Sequence, residues 1–558
     1  MSRLAKKAPS LCSDSPLDKA EVQTKLRHLS QLLRSCVGPS GRLKQVHNNI
    51  GGQVTTTSTS CVLLAAISSS HPLLNLIIQS VRSHVSRFCD CGLQAGILCI
   101  SLIEASERGA LRGSVAIRVY KHLLSLCDAY LHQDKCGCVV QLDFSSSQNF
   151  ITLARSVVSS KPACVLTGAE QLHISTLLVK SFLLTVPCSS PGSAALGRTI
   201  TMPMEGLPVL DSAVFPGVLL DLPEFITEFH TSGPLRVALF AISLAGDLPG
   251  IGDGTVEVHQ GVDTDSQVVD ELMKIAEQVV QDEVKLLVCQ KVVHPVLQHY
   301  LRSHGVVVVE RVGIRFMEPL AELTGARPVG TLHTAIPSKA YGEVKNVQLR
   351  PFGSKNLLHL HPAEQSVTCT MVLCHRNETM LNELKVACQK AEHVLRLTLR
   401  EPKSLLGGGC TETHLAAYIR HQCEHNNRET ASTLGCTPGE YLLGVEAFCS
   451  SLECVARALE HSHSSSIIDP TGAHHWTLQA DVTPEQMQSH VCGCGLRNNY
   501  KRSCSMTEGP GFSPELPEET ALRCRVLDSF TAKKNALQVA VETANIVLDV
   551  NFIIQDKN

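Results

Sequence analysis

The middle of the chain, from about residue 206 to residue 360, alternates short apolar segments with short amphipathic ones. Gly217–Leu222 and Leu235–Leu244 predict buried strands, residues 266–283 predict a helix, and Lys285–Cys289 predicts another strand. Strands that alternate with helices in this way are typical of an α/β layered domain. This segment therefore restricts the possible folds more than any other part of the sequence.

Both ends of the chain have helical periodicity instead. Within residues 17–36, apolar side chains recur on one face at a period of 3.6 residues, at Val22, Leu26, Leu29, Leu33 and Cys36. Further helical segments are predicted towards the C-terminus, at 380–400, 412–424, 440–460 and Leu537–Leu548. Residues 461–520 are rich in Ser, His, Gly and Pro, and they predict loops.

Composition narrows the class of protein. The 558 residues are 44% hydrophobic and 18% charged, a globular balance that argues against extensive disorder. The net charge of −3 gives no electrostatic basis for nucleic acid as the main partner. We expect neither a membrane span nor a secretory signal, because no suitable apolar run is present. The 24 cysteines then indicate small buried residues in a reducing compartment.

One stretch nearly matches a phosphate loop. Residues 192–199 follow the pattern GxxxxGK[ST], except that Arg198 replaces the lysine. In such a loop the glycines let backbone N–H groups surround a phosphate. A nucleotide loop formed by Gly192, Gly197, Arg198 and Thr199 is one hypothesis. A surface turn is favoured over it, because the flanks lack the strand-then-helix pattern that the motif needs.

A second glycine-rich segment, Gly407–Gly409, precedes an apolar helix. Glycines at this position can leave backbone N–H groups available at a helix N-terminus, which is an anion-binding arrangement. The alternative is a tight turn between domains.

Cysteine and histidine clusters give weaker signals. Two C-x-C pairs, Cys136/Cys138 and Cys492/Cys494, could together supply four thiolate ligands to a zinc ion. Structural zinc sites, however, usually have two to four residues between paired cysteines, and here there is one. His461, His463, His474 and His475 are expected to be solvated loop residues, and Gly252–Thr255 has the pattern of a hairpin turn. We therefore expect no metal site.

Four segments together resemble the group II chaperonins (TCP-1/CCT-like), in order and spacing across nearly the whole chain. Gly38–Gly41 resembles their LGPxG turn, and Gly407–Glu412 resembles their GGGxxE segment. Val288–Gly330 is similar to their apical domain, and Ala536–Val550 is similar to their C-terminal helix. Within the family, the chain particularly resembles the divergent McKusick–Kaufman/Bardet–Biedl syndrome chaperonin-like proteins.

The resemblance implies an α+β multidomain chain with a helical equatorial domain, a small intermediate domain and an α/β apical domain that binds clients. The implied segments are, in chain order, equatorial 1–144, intermediate 145–205, apical 206–360, intermediate 361–410 and equatorial 411–558. Divergent loops at about 461–520 would lie in the last of these.

The resemblance to group II chaperonins also implies a nucleotide pocket, formed by Gly38, Pro39, Gly41, Asp90, Gly407, Gly408 and Gly409. Most of the family's catalytic carboxylates are replaced: Thr57 occupies the Asp position of the TNDGAT segment. Lys390 occupies the Asp position of the intermediate domain, where Glu392 is the alternative, and Asp90 alone keeps its carboxylate. Since Thr and Lys cannot hold Mg²⁺ as carboxylates do, we expect weak or vestigial ATP binding, no metal and little or no ATPase activity.

The implied function is that of a chaperonin-like chaperone that assembles the BBSome, a coat complex for ciliary cargo. Implied partners are chaperonin-like paralogues and subunits of the cytosolic chaperonin, in the cytosol and at the centrosome or basal body. We expect a monomer or mixed complexes rather than a homo-oligomeric double ring, because the 461–520 loops would crowd regular ring contacts. The alternatives are an active ATP-dependent foldase in a ring and a phosphate-loop NTPase that uses residues 192–199.

Overall fold

The protein forms two compact units in the computed structural model. The first comprises Met1–Val179 and Asn377–Asn558, and the second comprises Lys180–Arg376. The structure describes residues 11–47, 54–133, 136–187, 196–221, 233–245, 264–331, 335–353, 355–362, 367–425, 427–461, 464–469, 474–479, 492 and 525–555.

The α-helices of the described residues concentrate in the two halves of the first unit. In chain order they are α1 (Ala20–Arg34), α2 (Ser60–Ala66), α3 (Pro72–Phe88), α4 (Gly92–Arg108), α5 (Gly113–Leu131), α6 (Ser147–Ser159), α7 (Gly168–Leu184), α8 (Thr264–Gln281), α9 (Pro295–Ser303), α10 (Gly313–Thr324), α11 (Glu378–Leu397), α12 (Cys410–His425), α13 (Asn427–Leu434), α14 (Pro438–Arg457) and α15 (Phe530–Asp549).

The longer sheets lie in the second unit. The described strands are β1 (Leu11–Asp14), β2 (Lys44–His47), β3 (Val54–Thr57), β4 (Val139–Gln141), β5 (Thr199–Glu205), β6 (Ala213–Pro216), β7 (Val218–Asp221), β8 (Leu235–Phe240), β9 (Leu286–Cys289), β10 (Val307–Val309), β11 (Gly342–Phe352), β12 (Lys355–Pro362), β13 (Cys369–His375), β14 (Lys403–Leu406), β15 (Ser464–Asp469), β16 (His474–Gln479), β17 (Leu527–Ser529) and β18 (Phe552–Gln555).

The core of the first unit is built around α4. Its side chains Ile97, Cys99, Ile100 and Leu102 are fully buried, and α1, α3, α14 and α15 pack around it. A helix that is apolar on nearly every side is stable only when other helices cover it. The helical ends predicted from periodicity are therefore confirmed, and the helices that cover α4 come from both halves of the sequence.

Short sheets join distant parts of the same unit. The three-stranded sheet β17-β14-β4 pairs Leu405 of β14 with Asp528 and Val139, and β14 leads directly into the Gly407–Gly409 turn. The hydrogen bonds of β14 to its two neighbouring strands therefore fix the position of the Gly407–Gly409 turn.

The prediction of loops throughout 461–520 was wrong for one part, because β15 and β16 form an antiparallel hairpin. Composition alone suggested a loop, but Ile467 and Trp476 lie directly opposite each other across the two strands. The register of these two strands runs from Ser464 opposite Gln479 to Asp469 opposite His474.

The second unit contains a six-stranded sheet of order β10-β9-β8-β11-β12-β7, in which β8, β9 and β10 are parallel. Residues alternate between its faces: Leu286 and Val288 pack with α10, whereas Leu287 and Cys289 belong to a core with α8 and α9. A three-stranded sheet, β5-β13-β6, lies in the same unit. The α/β layered middle is therefore confirmed.

The division into three nested domains remains a prediction, since the structure has two compact units. No helix within the described ranges has the length and apolar character needed to cross a membrane.

Candidate functional site

A cavity of about 460 Å³ lies in the first unit, and it is here called the glycine-turn cavity. Its walls come from the end of α1 (36–39), the start of α4 (90–94), the end of α6 (156–161), Lys390 of α11, and Gly408–Gly409. The cavity thus brings together most of the residues that the sequence assigned to a nucleotide pocket.

The first glycine turn closes the end of α1. Gly38 has φ of +78°, and a Cβ there would lie 2.6 Å from Leu459 Cδ2, so only glycine fits. Gly41 N–H donates to the Gly38 carbonyl at 3.1 Å and shapes the turn. Gly38 and Pro39 line the cavity. Gly41 does not line it and contributes only to the shape of the turn.

The second glycine turn joins β14 to α12. Gly408 and Gly409 have φ of +62° and +82°, and their N–H groups have no acceptor among the described residues. Gly407 N–H instead donates to the Val526 carbonyl at 2.7 Å, so its predicted role in ligand binding is replaced by a role in the sheet. The turn therefore presents two amides, at the N-terminus of a 16-residue helix.

A second helix N-terminus faces the same cavity. Cys89 and Cys91 have φ of +59° and +58°, and this turn places Asp90 and Gly92 on the cavity wall at the start of α4. The imidazole of His84 anchors it through a 2.8 Å hydrogen bond between Nε2 and the Asp90 carbonyl. Two helix N-termini that converge on one space create a positive potential suited to an anion.

Lys390 reinforces that potential from the opposite wall. Its side chain is buried, and burial together with the nearby Lys161 ammonium lowers its pKa. The alternative carboxylate, Glu392, does not line the cavity, because it pairs with Arg396 at 2.8 Å. The wall position that the family resemblance assigns to a carboxylate therefore carries a cation, which favours anions and disfavours Mg²⁺.

Thr57 does not reach the cavity, since it is fully buried against α11. Its hydroxyl donates to Glu383 Oε2 at 3.0 Å, and the same carboxylate accepts from Thr59 Oγ1 at 2.7 Å and from Ser58 N at 3.2 Å. Sequence reasoning missed Glu383. A signal was present, because Glu383 and Lys390 both fall on the apolar face of α11 with Ala387 and Val394.

A model of the TCP-1/cpn60 chaperonin family matches residues 29–558. The chain belongs to the TCP-1/cpn60 chaperonin family. It is 44% identical to the protein named Molecular chaperone MKKS from Homo sapiens, over the full length of both chains, and 44% identical to the Mus musculus protein of that name. It is 25% identical to thermosome subunit alpha of Aeropyrum pernix, over 78% of this chain and 77% of that one. The predicted family and its α+β multidomain fold are confirmed.

In this chaperonin chain, a buried ion network supports the second glycine turn. Lys533 Nζ lies 2.6 Å from Asp528 Oδ2 and 3.1 Å from Glu412 Oε1. Burial alone would lower the pKa of Lys533, but the two carboxylates raise it well above its ordinary value. Burial also raises the pKa of Glu412. The network joins α12 to α15 beside the cavity, and sequence reasoning did not predict it.

The phosphate-loop hypothesis is wrong for this chaperonin. A phosphate loop must open into a helix, whereas Thr199 begins strand β5. Arg198 forms an ion pair with Glu318, with Nη2 2.7 Å from Oε1, and a Cβ on Gly197 would overlap the Val367 carbonyl. Gly192 lies outside the described residues, as does Gly252–Thr255.

The cysteine and histidine clusters form no metal centre within the described parts of the chain. Cys136 and Cys138 face each other, with their sulfur atoms 3.3 Å apart, while Cys494 lies outside the described residues. The prediction of solvated histidines was wrong for His475, which is buried at the cavity wall. His461 is half-buried, and its Nε2 bonds to the Val37 carbonyl at 2.8 Å.

Proposed function

We propose that this chain is a chaperonin-like molecular chaperone that acts as an assembly factor and has little or no ATPase activity of its own. The observation that carries the proposal is the buried ammonium of Lys390 on the wall of the glycine-turn cavity. ATP hydrolysis in this family depends on carboxylates that bind Mg²⁺ and orient water, and a cation at this position does neither. The full-length relatives named Molecular chaperone MKKS support the chaperone function.

The cavity favours a nucleotide phosphate bound without metal. Positive potential in the cavity comes from two helix N-termini and from the side chains of Lys390 and Lys161. The carboxylates of Asp90 and Asp528 on the same walls offset part of it. Asp90 is the residual acidic group, and alone it would hold a divalent cation poorly next to Lys390. ADP or ATP would then stabilise the fold rather than drive a cycle.

The client would bind the segment 206–360 of the second unit through apolar and polar contacts. Exposed apolar side chains there, including Leu210, Val296 and Ile314, support this mode of contact. The resemblance to the McKusick–Kaufman/Bardet–Biedl group suggests the BBSome as client, with chaperonin-like paralogues and cytosolic chaperonin subunits as partners. The corresponding location is the cytosol and the centrosome or basal body, in support of cilium biogenesis.

The test combines turnover with binding. We expect no ATP turnover above background and magnesium-independent thermal stabilisation by ADP. Lys390→Met removes a charged hydrogen-bond donor at nearly constant volume and should weaken ADP binding about tenfold or more. Lys385→Met is the matched control, because Lys385 lies on the same helix and away from the cavity.

An active ATP-dependent foldase is the second candidate, because Asp90 retains its carboxylate on the cavity wall. It predicts magnesium-dependent turnover that Asp90→Ala abolishes. That result would overturn the proposal of a chaperone without ATPase activity.

A further inference from the structure

Two cysteine thiols meet beside the second glycine turn. Cys410 is the first residue of α12, and its Sγ lies 3.2 Å from Sγ of Cys492, which is 82 positions further along the chain. Both side chains are buried, and both cysteines are in the thiol form. The sulfur atoms are within reach of a covalent bond after a movement of about 1 Å, since a disulfide is about 2.05 Å long.

A closed chain of contacts links this pair to the cavity. The backbone N–H of His475 donates to Cys492 Sγ at 3.5 Å, and the ring Nδ1 of His475 lies 3.1 Å from the Gly408 carbonyl. Because a carbonyl only accepts, Nδ1 carries the proton, and Nε2 is buried without a partner in the described structure. Three contacts, Gly408 to His475, His475 to Cys492 and Cys492 to Cys410, therefore connect the two ends of the Gly408–Cys410 segment.

We propose that Cys410 and Cys492 form a reversible disulfide whose redox state controls the glycine turn and, through it, binding in the glycine-turn cavity. The effect on ligand binding rests on the proposed function of the cavity, whereas the modification itself does not.

The chemistry needs one two-electron oxidant, and a peroxide suffices. One thiolate attacks a peroxide oxygen and becomes a sulfenic acid, while the other oxygen leaves as water after taking up a proton. The second thiol then attacks the sulfenic sulfur, forms the S–S bond and releases a second water. Two thiols lose two electrons and two protons in total, and a dithiol reductant reverses the reaction.

The thiol pair lies next to the cavity, although neither cysteine lines it. Hydrogen peroxide is much smaller than the cavity of about 460 Å³, whose wall includes Gly409, the residue next to Cys410. Cys410 is the first residue of α12, and the backbone N–H of His475 donates to Cys492 Sγ, so both sulfur atoms are held in defined positions. Gly409 packs closely against α14, since a Cβ there would lie 2.7 Å from Cα of Ala456. A cross-link at the next residue therefore restricts the whole turn.

The first experiment treats the folded full-length chain with hydrogen peroxide, blocks remaining thiols and maps peptides without reduction. We expect a Cys410–Cys492 cross-link, the loss of two titratable thiols, and reversal by dithiothreitol. Cys492→Ser should abolish the cross-link, whereas Cys136→Ser, at the other close pair of sulfur atoms (3.3 Å from Cys138), should leave it intact. A cross-link that is absent, or that forms only after unfolding in urea, would overturn the proposal.

The second experiment measures hydrogen exchange of the 407–411 peptide and ADP dissociation, in the oxidised and reduced proteins. We expect slower exchange and slower dissociation after oxidation, and Cys492→Ser should show neither change. If ADP binds neither form while exchange still slows, the proposed nucleotide binding fails and the redox control of the turn stands. If exchange is the same in both forms, the control is refuted whatever ADP does.

Discussion

Replacing Lys533 with methionine tests whether the buried ion network holds the glycine turn. Lys533→Met preserves most of the side-chain volume and the helix propensity, but it leaves Asp528 and Glu412 without their shared cation. Glu412 is deeply buried, and its Oε2 has no hydrogen-bond partner within the described part of the chain. The variant therefore keeps two carboxylates in the interior and loses the charge that compensates them.

The expected loss of unfolding free energy is large. Removing one partner of a buried ion pair costs about 3–5 kcal/mol, because the remaining charge stays desolvated. Lys534→Met is a matched control at the adjacent position, since Lys534 pairs with the half-exposed Asp128 at 2.9 Å. An exposed pair of this kind contributes about 0–1 kcal/mol. The loss of unfolding free energy should thus be several-fold larger for Lys533→Met than for Lys534→Met.

The effect should also depend on pH in a defined direction. Burial raises the pKa of Glu412 in the folded state above its pKa in the unfolded state. The free energy of unfolding therefore falls as the pH rises from the unfolded-state pKa through the folded-state pKa. Lys533 counteracts that rise, and without it the pKa of Glu412 rises further. The deficit of Lys533→Met should therefore shrink in acid, where Glu412 is protonated, and grow towards neutral pH.

Urea unfolding followed by tryptophan fluorescence measures this directly. Trp476 is the one tryptophan of the sequence, and its backbone lies in β16 of the first unit. Equal losses for Lys533→Met and Lys534→Met, or a Lys533→Met deficit that does not change with pH, would refute the reasoning.

Three further outcomes are expected. Gly409→Asp should abolish stabilisation by ADP, but it should also lower the melting temperature, because its Cβ would contact the Ala456 backbone; Arg198→Ala should affect neither measurement. Glu383→Leu should strongly destabilise the first unit, because at least three buried donors lose their acceptor, and a melting temperature equal to that of the parent would contradict this. Light scattering of the intact chain should show a monomer, and a stable particle of about sixteen identical subunits would refute the expected absence of a homo-oligomeric ring. Deleting 461–520 is a weaker test, because it removes β15 and β16, which pack against α14 and α12.

Local features of the fold could be predicted from the sequence because their causes are local. The apolar periodicity of residues 17–36 predicted α1, and the alternation around Lys285–Cys289 predicted β9. Glycine adopts a positive φ at lower cost than other residues, and Gly38 and Gly408, which the sequence placed in turns, have φ of +78° and +62°. The assignment of Lys390 to a carboxylate position came from the family resemblance, with Glu392 as the alternative, and it stays a prediction.

Only the tertiary structure decided which partner each buried polar group has. Thr57 and Glu383 are 326 residues apart, and Cys410 and Cys492 are 82 apart, so no periodicity within either segment relates them. The same holds for Lys533, whose neighbour Lys534 has identical chemistry but points to a surface pair. A buried charge must find a partner wherever the packing of helices places one, and that packing depends on the whole core rather than on the residues beside it in the chain.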